Sequence, residues 1–304
     1  MSNLNKLGIN KYDIPMYHKF GSIFETMAGF VPANMVTKGT IRYVDAGATG
    51  IGDGTSWDDA FTTITAAVAA SSAWDVIFVA GGDYDEGAVV NITLQGLKII
   101  GVGNSNQMVA RWYASAASHH ILTINAHNVE IAGMGFYQTN DTKNAIMCST
   151  TASFSKIWIH DCRFDSTNGE YGVHGGTTYD SQDIMIENCK FTSWQTAAIY
   201  CYCTRGHVRN NTIVTVAAKI GIHLPATGST RGGVFCVGNH ILGVNSTDIG
   251  ISVAAVNAGM LFISGNWVCG CGTANISQFA NGQYCGTENY ASSDAGGAII
   301  DIDS

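Results

Sequence analysis

One pattern of apolar and polar positions recurs along the chain between Val129 and Val268. In each copy, two apolar residues flank a free position, and a further apolar residue follows five positions later. The second apolar position of each copy is held by Ile99, Ile131, Ile159, Ile186, Val208, Cys236 and Ile263. These residues are 22 to 32 positions apart. Alternation of this kind predicts a strand with one buried face, and its repetition predicts a solenoid with one coil per repeat.

A second short strand is predicted at the same interval. Its copies are the small-apolar pairs Ala145-Ile146, Gly172-Val173, Ala198-Ile199, Gly221-Ile222 and Gly250-Ile251. Two strands per coil without a helical stretch between them favour a parallel β-helix over a leucine-rich repeat. Each coil would then pair its backbone with the coils above and below, about 4.8 Å away.

A column of polar and small residues follows the first strand of each coil. Three positions after the second apolar residue come Cys162, Cys189, Asn211, Asn239 and Asn266. Stacked Asn side chains can hydrogen-bond along such a column, and Asn tolerates the left-handed backbone of a tight corner. The column therefore supports the β-helix.

Composition agrees with one domain and restricts the partners. The chain has 304 residues, 36 Gly, 3 Pro and only 12% charged residues, which permits a long core and disfavours helices. A net charge of −8 argues against a nucleic-acid partner. Apolar runs stay below the roughly 18 residues of a membrane span, and the N-terminal residues lack the apolar core of a secretory signal. We therefore expect neither a membrane partner nor a cofactor.

The nine cysteines are predicted to be buried, reduced thiols rather than disulfides or metal ligands. Their C-x-C pairs, Cys201/Cys203 and Cys269/Cys271, lack the spacings of zinc sites. The chain is accordingly expected to mature in a reducing compartment.

Residues 1–40 lie outside the repeat. Ile23, Phe24, Met27 and Phe30 have the spacing of a short amphipathic helix, which Pro32 would stop. Two interpretations stay open: a plug over the first coil, or an arm whose apolar residues anchor the chain to a partner.

Residues 41–86 contain a recognisable order of elements. Arg42 to Asp45 is predicted as a strand, followed by a glycine-rich turn over 47–54. Ser56-Trp57-Asp58-Asp59 has the form of a capping box that would open a helix. The apolar face of that helix is Ala60, Phe61, Ile64, Ala67 and Val68. A buried strand over 75–79 and the turn from Gly81 to Glu86 would then lead into the first coil.

This order resembles the N-terminal cap of the pectin-lyase-like right-handed parallel β-helix superfamily. Together with the coils, the resemblance covers residues 41–304. It implies an all-β fold: a single-stranded right-handed parallel β-helix of about seven to eight coils with an N-terminal helical cap and an N-terminal arm. The implied division is an arm (1–40), a cap with the first coil (41–96), the coils (97–271) and a closing segment (272–304). The superfamily contains lyases, hydrolases, epimerases, phage tailspikes and non-enzymatic virion proteins, so the function stays open.

The enzymatic motifs of that superfamily are incomplete here. The segment from Ile157 to Cys162 looks like the pectate-lyase segment W-I-D-H with its last two residues reversed, and no R-x-P-x-x-R segment follows. The polygalacturonase signatures N-T-D, G-H-G and R-I-K are also absent. One outward column would still place His160, Glu187 and Arg209 on successive coils as an acid, base and electrostatic trio. We favour a solvated charge ladder and predict no catalytic residue.

Two further outward columns are predicted. Met147, His174, Tyr200, His223 and Ser252 form the first, which would either stack against a sugar or serve the structure. Lys98, Glu130, Trp158, Met185, His207, Phe235 and Phe262 form the second. Its large apolar members, Trp158, Met185, Phe235 and Phe262, are predicted to form an oligomer interface, because monomers seldom leave such a stripe exposed. The alternative is that a long turn or residues 1–40 cover it.

Taken together, these features favour a non-enzymatic structural protein of a tailed-phage virion, above all a head-decoration (cement) protein. The expected partners are the chain itself, as a homotrimer, and the major capsid or another virion protein, through residues 1–40. A cell-surface glycan is an additional candidate partner. The expected location is the virion, after assembly in the host cytoplasm. The alternative is a polysaccharide lyase, a glycoside hydrolase or a glycan-binding tailspike or fibre protein.

Overall fold

The structure is a computed structural model. It describes residues 39–102, 110–114, 119–140, 142–176, 181–216, 218–225, 233–245, 247–253, 261–271, 274–277, 284–285, 289–292 and 300–301. The predicted anchor residues Ile23, Phe24, Met27 and Phe30 lie outside the described residues.

Three β-sheets make up the fold, with strands numbered along the chain. Sheet A contains β1 (Ile41–Val44), β2 (Val76–Ala80), β5 (Lys98–Val102), β8 (Glu130–Ala132), β11 (Ser155–His160), β14 (Gln182–Glu187), β17 (Gly206–Arg209), β20 (Val234–Val237), β23 (Leu261–Ser264) and β26 (Tyr284–Cys285). Sheet B contains β3 (Gly82–Asp85), β6 (Ala110–Ala114), β9 (Met134–Gln138), β12 (Arg163–Ser166), β15 (Lys190–Thr192), β18 (Thr212–Val214), β21 (His240–Leu242), β24 (Trp267–Cys269), β27 (Tyr290–Ser292) and β28 (Ile300–Asp301). Sheet C contains β4 (Val90–Ile92), β7 (Leu122–Ile124), β10 (Ile146–Cys148), β13 (Tyr171–His174), β16 (Ala197–Tyr200), β19 (Ile220–Leu224), β22 (Ile249–Val253) and β25 (Ala274–Ser277).

Each coil runs through sheets A, B and C in turn. Within the described chain, eight consecutive coils give one strand to every sheet, from β2–β3–β4 to β23–β24–β25. Neighbouring strands are parallel, apart from β28, which pairs antiparallel with β27. The predicted all-β parallel β-helix is confirmed. The expectation of two strands per coil is wrong, because the apolar residue five positions after the first strand belongs to a strand of its own in sheet B.

The core consists of stacked inward columns. Ile131, Ile159, Ile186, Val208, Cys236 and Ile263 are direct partners on successive sheet A strands, as predicted, and each is fully buried. In sheet B the rings of Phe136, Phe164 and Phe191 stack with centroids 4.9 and 4.6 Å apart. Parallel strands buried on the inner face and repeated in register bring like side chains together, so the core is a set of continuous stacks.

The corner between sheets A and B carries the predicted asparagine ladder. The Asn211 side chain donates to Asn239 Oδ1 (3.0 Å), Asn239 to Asn266 Oδ1 (2.9 Å) and Asn266 to Asn289 Oδ1 (2.9 Å). All four residues are buried. The ladder is thus confirmed and continues to Asn289, which the sequence pattern did not reveal.

The left-handed residues of this corner stand one position earlier than predicted. They are Gly133, Asp161, Asn188, Asn210, Gly238 and Gly265, with φ between 53° and 66°. Assigning the left-handed conformation to the ladder residues themselves is therefore wrong. The turn residue is exposed or half-exposed and needs only a tolerant backbone, whereas the residue after it points inward and must bond to its neighbours.

The N-terminal cap differs from prediction in where its helix begins. Helix α1 spans Ile64–Ala70, and its N-cap is Thr63, whose hydroxyl accepts from the Ala66 amide at 3.2 Å. The Glu86 carboxylate accepts from the first two helical amides, those of Ile64 and Thr65, at 2.6 and 3.0 Å. The Ser56–Asp59 capping bonds do form, but in the preceding turn, so the predicted helix start is wrong.

Cysteines contribute to the core as small apolar side chains. Eight of the nine have a described side chain, and all eight are free thiols, seven buried and Cys269 half-buried. Burial raises the pKa of the Cys148 and Cys236 thiols and raises that of Cys271 to about 12. No cluster of three or more potential ligands able to hold a metal ion occurs in the described chain. None of its helices is long and apolar enough to cross a bilayer.

Candidate functional site

The outer face of sheet A carries a continuous row of large side chains. Backbone pairing places Lys98, Glu130, Trp158, Met185, His207, Phe235 and Phe262 in one column, as predicted. We call Trp158, Met185, His207, Phe235 and Phe262 the sheet A stripe. Trp158 is 39% exposed and the other members are half-buried. The His207 and Phe235 rings stack at 4.9 Å, and Phe262 follows at 5.8 Å. The stripe is therefore one surface several coils long.

A ladder of oppositely charged side chains lies next to this stripe and also crosses the end of it that is nearest the N-terminus. Lys98 Nζ lies 2.6 Å from Glu130 Oε2, and His160 Nε2 lies 3.3 Å from Glu130 Oε1. The other ring nitrogen of His160 lies 2.7 Å from Asp161 Oδ2. Burial alone would raise the pKa of Glu130, but His160 and Lys98 lower it below its usual value. Burial likewise opposes the charged form of His160, but its two carboxylate partners raise its pKa.

The predicted trio of His160, Glu187 and Arg209 does occupy successive coils. Glu187 is buried, and its two oxygens are bonded separately: Trp158 Nε1 donates to one at 2.7 Å and Arg209 Nε donates to the other. His160 bonds to Glu130 and Asp161 instead of Glu187. A general acid or base must reach its substrate, whereas these three side chains are bonded to their neighbours on the sheet. The arrangement therefore has the properties of a charge ladder.

A shallow groove of about 360 Å³ lies near the N-terminal end of sheet A, and the sequence pattern did not reveal it. Its walls include Trp74, Lys98, Glu130, Lys156, Trp158 and Met185. Trp74 has φ 73° and is 39% exposed. A bulky residue rarely adopts this left-handed conformation, and no sequence signal identifies it because the neighbouring corners use Gly96 and Asn128.

The outer face of sheet C carries a second set of rings. Met147, His174, Tyr200, His223 and Ser252 form one column, as predicted. The His174 and Tyr200 rings stack at 4.3 Å, and Tyr171, Tyr202 and His223 lie 5.2 to 6.5 Å from Tyr200. Burial lowers the pKa of His174 to about 4 and also lowers that of His223. Both imidazoles are therefore neutral at physiological pH and can donate or accept hydrogen bonds.

Residues 47–266 match a family described as a protein of unknown function, DUF1565. This chain belongs to that family. No curated protein matches it.

Solved structures with a similar fold include three proteins of different kinds. The pectin methylesterase of Aspergillus niger is 11% identical with a TM-score of 0.58, covering 86% of this chain and 91% of its own. Pectate lyase Pel9A is 14% identical with a TM-score of 0.50, covering 78% and 64%. ORF18 of Geobacillus virus E2 is 13% identical with a TM-score of 0.41, covering 94% and 65%. The first two likenesses show the fold alone, the pectin-lyase-like right-handed parallel β-helix, which confirms the resemblance.

Proposed function

We propose that this chain is a non-enzymatic structural protein of a tailed-phage virion, a head-decoration protein that assembles as a homotrimer through the sheet A stripe. The stripe carries the proposal, because large apolar side chains that share one outward column are typical of protein interfaces. Trp158 is 39% exposed, and half-buried Phe235 and Phe262 continue the same surface.

The energetics of the stripe fit an assembly surface. Fully burying a large apolar side chain contributes roughly 1.5–3 kcal/mol, before the cost of association is subtracted. Trp158 would supply most of this gain, because Met185, Phe235 and Phe262 are already half-buried within the chain, and neighbouring columns would have to add to it. Three β-helices standing side by side can each offer this face to a common axis, so closed symmetry favours a trimer. Residues 1–40 would then be available to anchor the trimer to the major capsid protein through Ile23, Phe24, Met27 and Phe30.

The charge ladder favours a structural function over a catalytic one. Both oxygens of Glu187 are bonded, and Glu130 is held between Lys98 and His160. Solved structures of this fold include a pectin methylesterase and a pectate lyase, so a carbohydrate-active enzyme is the alternative. The two glutamates of the ladder are therefore both engaged by other side chains of the sheet.

The test is the double change Trp158→Asp with Phe235→Asp, followed by sedimentation velocity and circular dichroism. We expect the wild-type chain to sediment as a trimer and the variant as a monomer with an unchanged β-signal. The matched control is Ile51→Asp with Val89→Asp, since both residues are exposed and apolar but lie outside the stripe. A monomeric wild type, or equal dissociation of the control, contradicts the interface. Capsid and portal genes beside the coding gene would independently support a virion protein.

Sugar binding on sheet C is a second candidate function. The observation that favours it is the cluster of half-buried Tyr171, Tyr200 and His223 around the buried His174, whose outer rings and neutral His223 imidazole suit stacking and hydrogen bonding to a pyranose. Tyr200→Ala should abolish binding to a glycan array if this face holds the sugar. Trp57→Ala, which removes an exposed ring in the N-terminal cap, is the control.

A further inference from the structure

Two thiols are in contact at the corner that leads from sheet C into the next coil of sheet A. Strand β16 ends at Tyr200, and Cys201 and Cys203 follow it before β17 begins at Gly206. We call these two cysteines the thiol pair. Their Sγ atoms lie 3.0 Å apart, and both side chains are buried. A disulfide bond is about 2.05 Å long, so the two sulfurs would have to approach by only about 1 Å to form one.

The backbone and a glycine hold this corner in place. The Cys201 amide donates to the His223 carbonyl at 2.9 Å, and Cys203 forms a backbone bridge with Ser181. Gly206 supplies the room for the sulfurs, because a Cβ at that position would collide with the Cys203 sulfur and lie 3.2 Å from that of Cys201. The fold therefore keeps both sulfurs on the inner side of one corner.

Other cysteines of the described chain make a different kind of contact. Cys189 Sγ donates to the Glu187 carbonyl at 3.3 Å. Cys269, which belongs to the second C-x-C segment, donates to the Ile241 carbonyl at 3.8 Å. The C-x-C spacing alone thus does not account for the contact within the thiol pair. Since no group of three potential metal ligands occurs in the described chain, the chemistry open to the pair is that of two thiols.

We infer that the thiol pair is a two-electron redox site, which closes to a disulfide when the folded chain meets a peroxide. The thiolate of one cysteine attacks a peroxide oxygen, and the O–O bond breaks to give a sulfenic acid and one water. The second sulfur then attacks the sulfenic sulfur, so that an S–S bond forms, the S–O bond breaks and a second water leaves. In total, two thiols lose two electrons and two protons, and one hydrogen peroxide is reduced to two waters.

Burial and proximity favour this outcome over deeper oxidation. Hydrogen peroxide is small and uncharged, so it can reach a buried thiol when the corner opens locally. The second sulfur is already in contact and can consume the sulfenic acid before another peroxide oxidises it further. The dithiol is the form expected from synthesis in a reducing compartment. This inference goes beyond the proposed function and does not depend on it.

The test is peptide mapping of the folded chain before and after treatment with hydrogen peroxide. Free thiols are alkylated with iodoacetamide during unfolding, and trypsin then cleaves after Lys190 and Arg205. The resulting peptide, residues 191–205, contains no cysteine besides the thiol pair. After peroxide treatment, this peptide should carry no alkyl group and be about 2 Da lighter than the dithiol peptide. Dithiothreitol should restore both alkylation sites.

The matched control is Cys269→Ser with Cys271→Ser, which removes the second C-x-C segment and should leave oxidation of the 191–205 peptide unchanged. Of Cys201→Ser and Cys203→Ser, at least one should accumulate a sulfenic acid that dimedone traps, because its partner sulfur is missing. Circular dichroism checks that each variant keeps the β-signal, and the mapping of the wild-type chain needs no variant.

Three results would overturn the inference. The first is a folded wild-type chain whose 191–205 peptide remains alkylated at both cysteines after peroxide treatment. The second is a gain of oxygen in this peptide that dithiothreitol does not reverse. The third is a disulfide between Cys162 and Cys189 with none in the thiol pair, which would place the redox site at the corner between sheets A and B.

Discussion

Ile186 is fully buried in the middle of its column, between Ile159 and Val208. Ile186→Ala should lower the free energy of unfolding by about 2–5 kcal/mol. The substitution leaves a cavity, and the coils cannot close it because backbone pairing fixes their spacing. Denaturant unfolding measures the change. Thr212→Ala on the exposed face of β18 is the control and should change the free energy little. A variant as stable as the wild type would show that the position is not part of the core.

His174 should make stability depend on pH in the acid range. Burial lowers its folded pKa to about 4, whereas the unfolded side chain titrates near 6.5. Between these values the unfolded chain binds more protons, so stability falls as pH falls from about 6.5 to 4. His174→Phe keeps a planar ring and should reduce this slope, as melting temperatures measured across that range would show. The slope should not vanish, because burial also lowers the pKa of His120 to about 4. Equal slopes in both proteins would contradict the assignment.

The sequence predicted which residues share a column but not which of them bond. Alternation assigned His160 and Glu187 to neighbouring outward positions, and the structure agrees. It could not show that His160 would turn toward Glu130, since a side chain between two coils can bond to either one. Trp158 determines which carboxylate His160 bonds to. Its ring stacks on His160 at 3.9 Å, and its indole N–H donates to Glu187.

The asparagine ladder is the element that fixes the corner between sheets A and B. The Asn239 amide group donates to Asn266 and to the Val208 carbonyl, and its oxygen accepts from Asn211. Asn239→Ala should cost about 1–3 kcal/mol for each buried group left without a partner. Asn211→Ala, at the start of the ladder, should cost less because it breaks fewer links. Thermal unfolding of the two variants compares them, and equal losses would argue against cooperation along the ladder.

Sequence reasoning at the scale of elements succeeded where a side chain must be buried and failed where the backbone alone decides. The inward isoleucine column was predictable, because burial requires the same kind of residue on every coil. The third strand was not, since a single apolar residue such as Phe164 between two polar neighbours is too short a signal. Helix α1 begins late for a similar reason: Phe61 forms a backbone bridge with Val44, which outweighs its place in a helical pattern.

At the scale of the whole molecule, the β-helix separates three outer faces with different chemistry. Sheet A offers an apolar stripe with a charge ladder, sheet B ion-paired arginines and exposed aromatic rings, and sheet C a cluster of tyrosines and neutral histidines. The sequence predicted the first and third faces because their residues are unusual at outward positions. It missed the outer face of sheet B because the charged and aromatic residues of that face lie far apart along the chain.

The last prediction is that the purified chain, assayed with calcium, releases no unsaturated or reducing ends from a panel of anionic and neutral polysaccharides. Acid–base cleavage requires a carboxyl group that reaches the glycosidic oxygen or an adjacent carbon. Glu187 is 7% exposed with both oxygens bonded, and Lys98 and His160 hold Glu130. If products appear and Glu187→Gln abolishes them, the ladder is catalytic and the structural proposal fails. If products persist in Glu187→Gln but disappear in Tyr200→Ala, the chemistry belongs to sheet C, and the sheet A stripe would have to be tested for assembly alone.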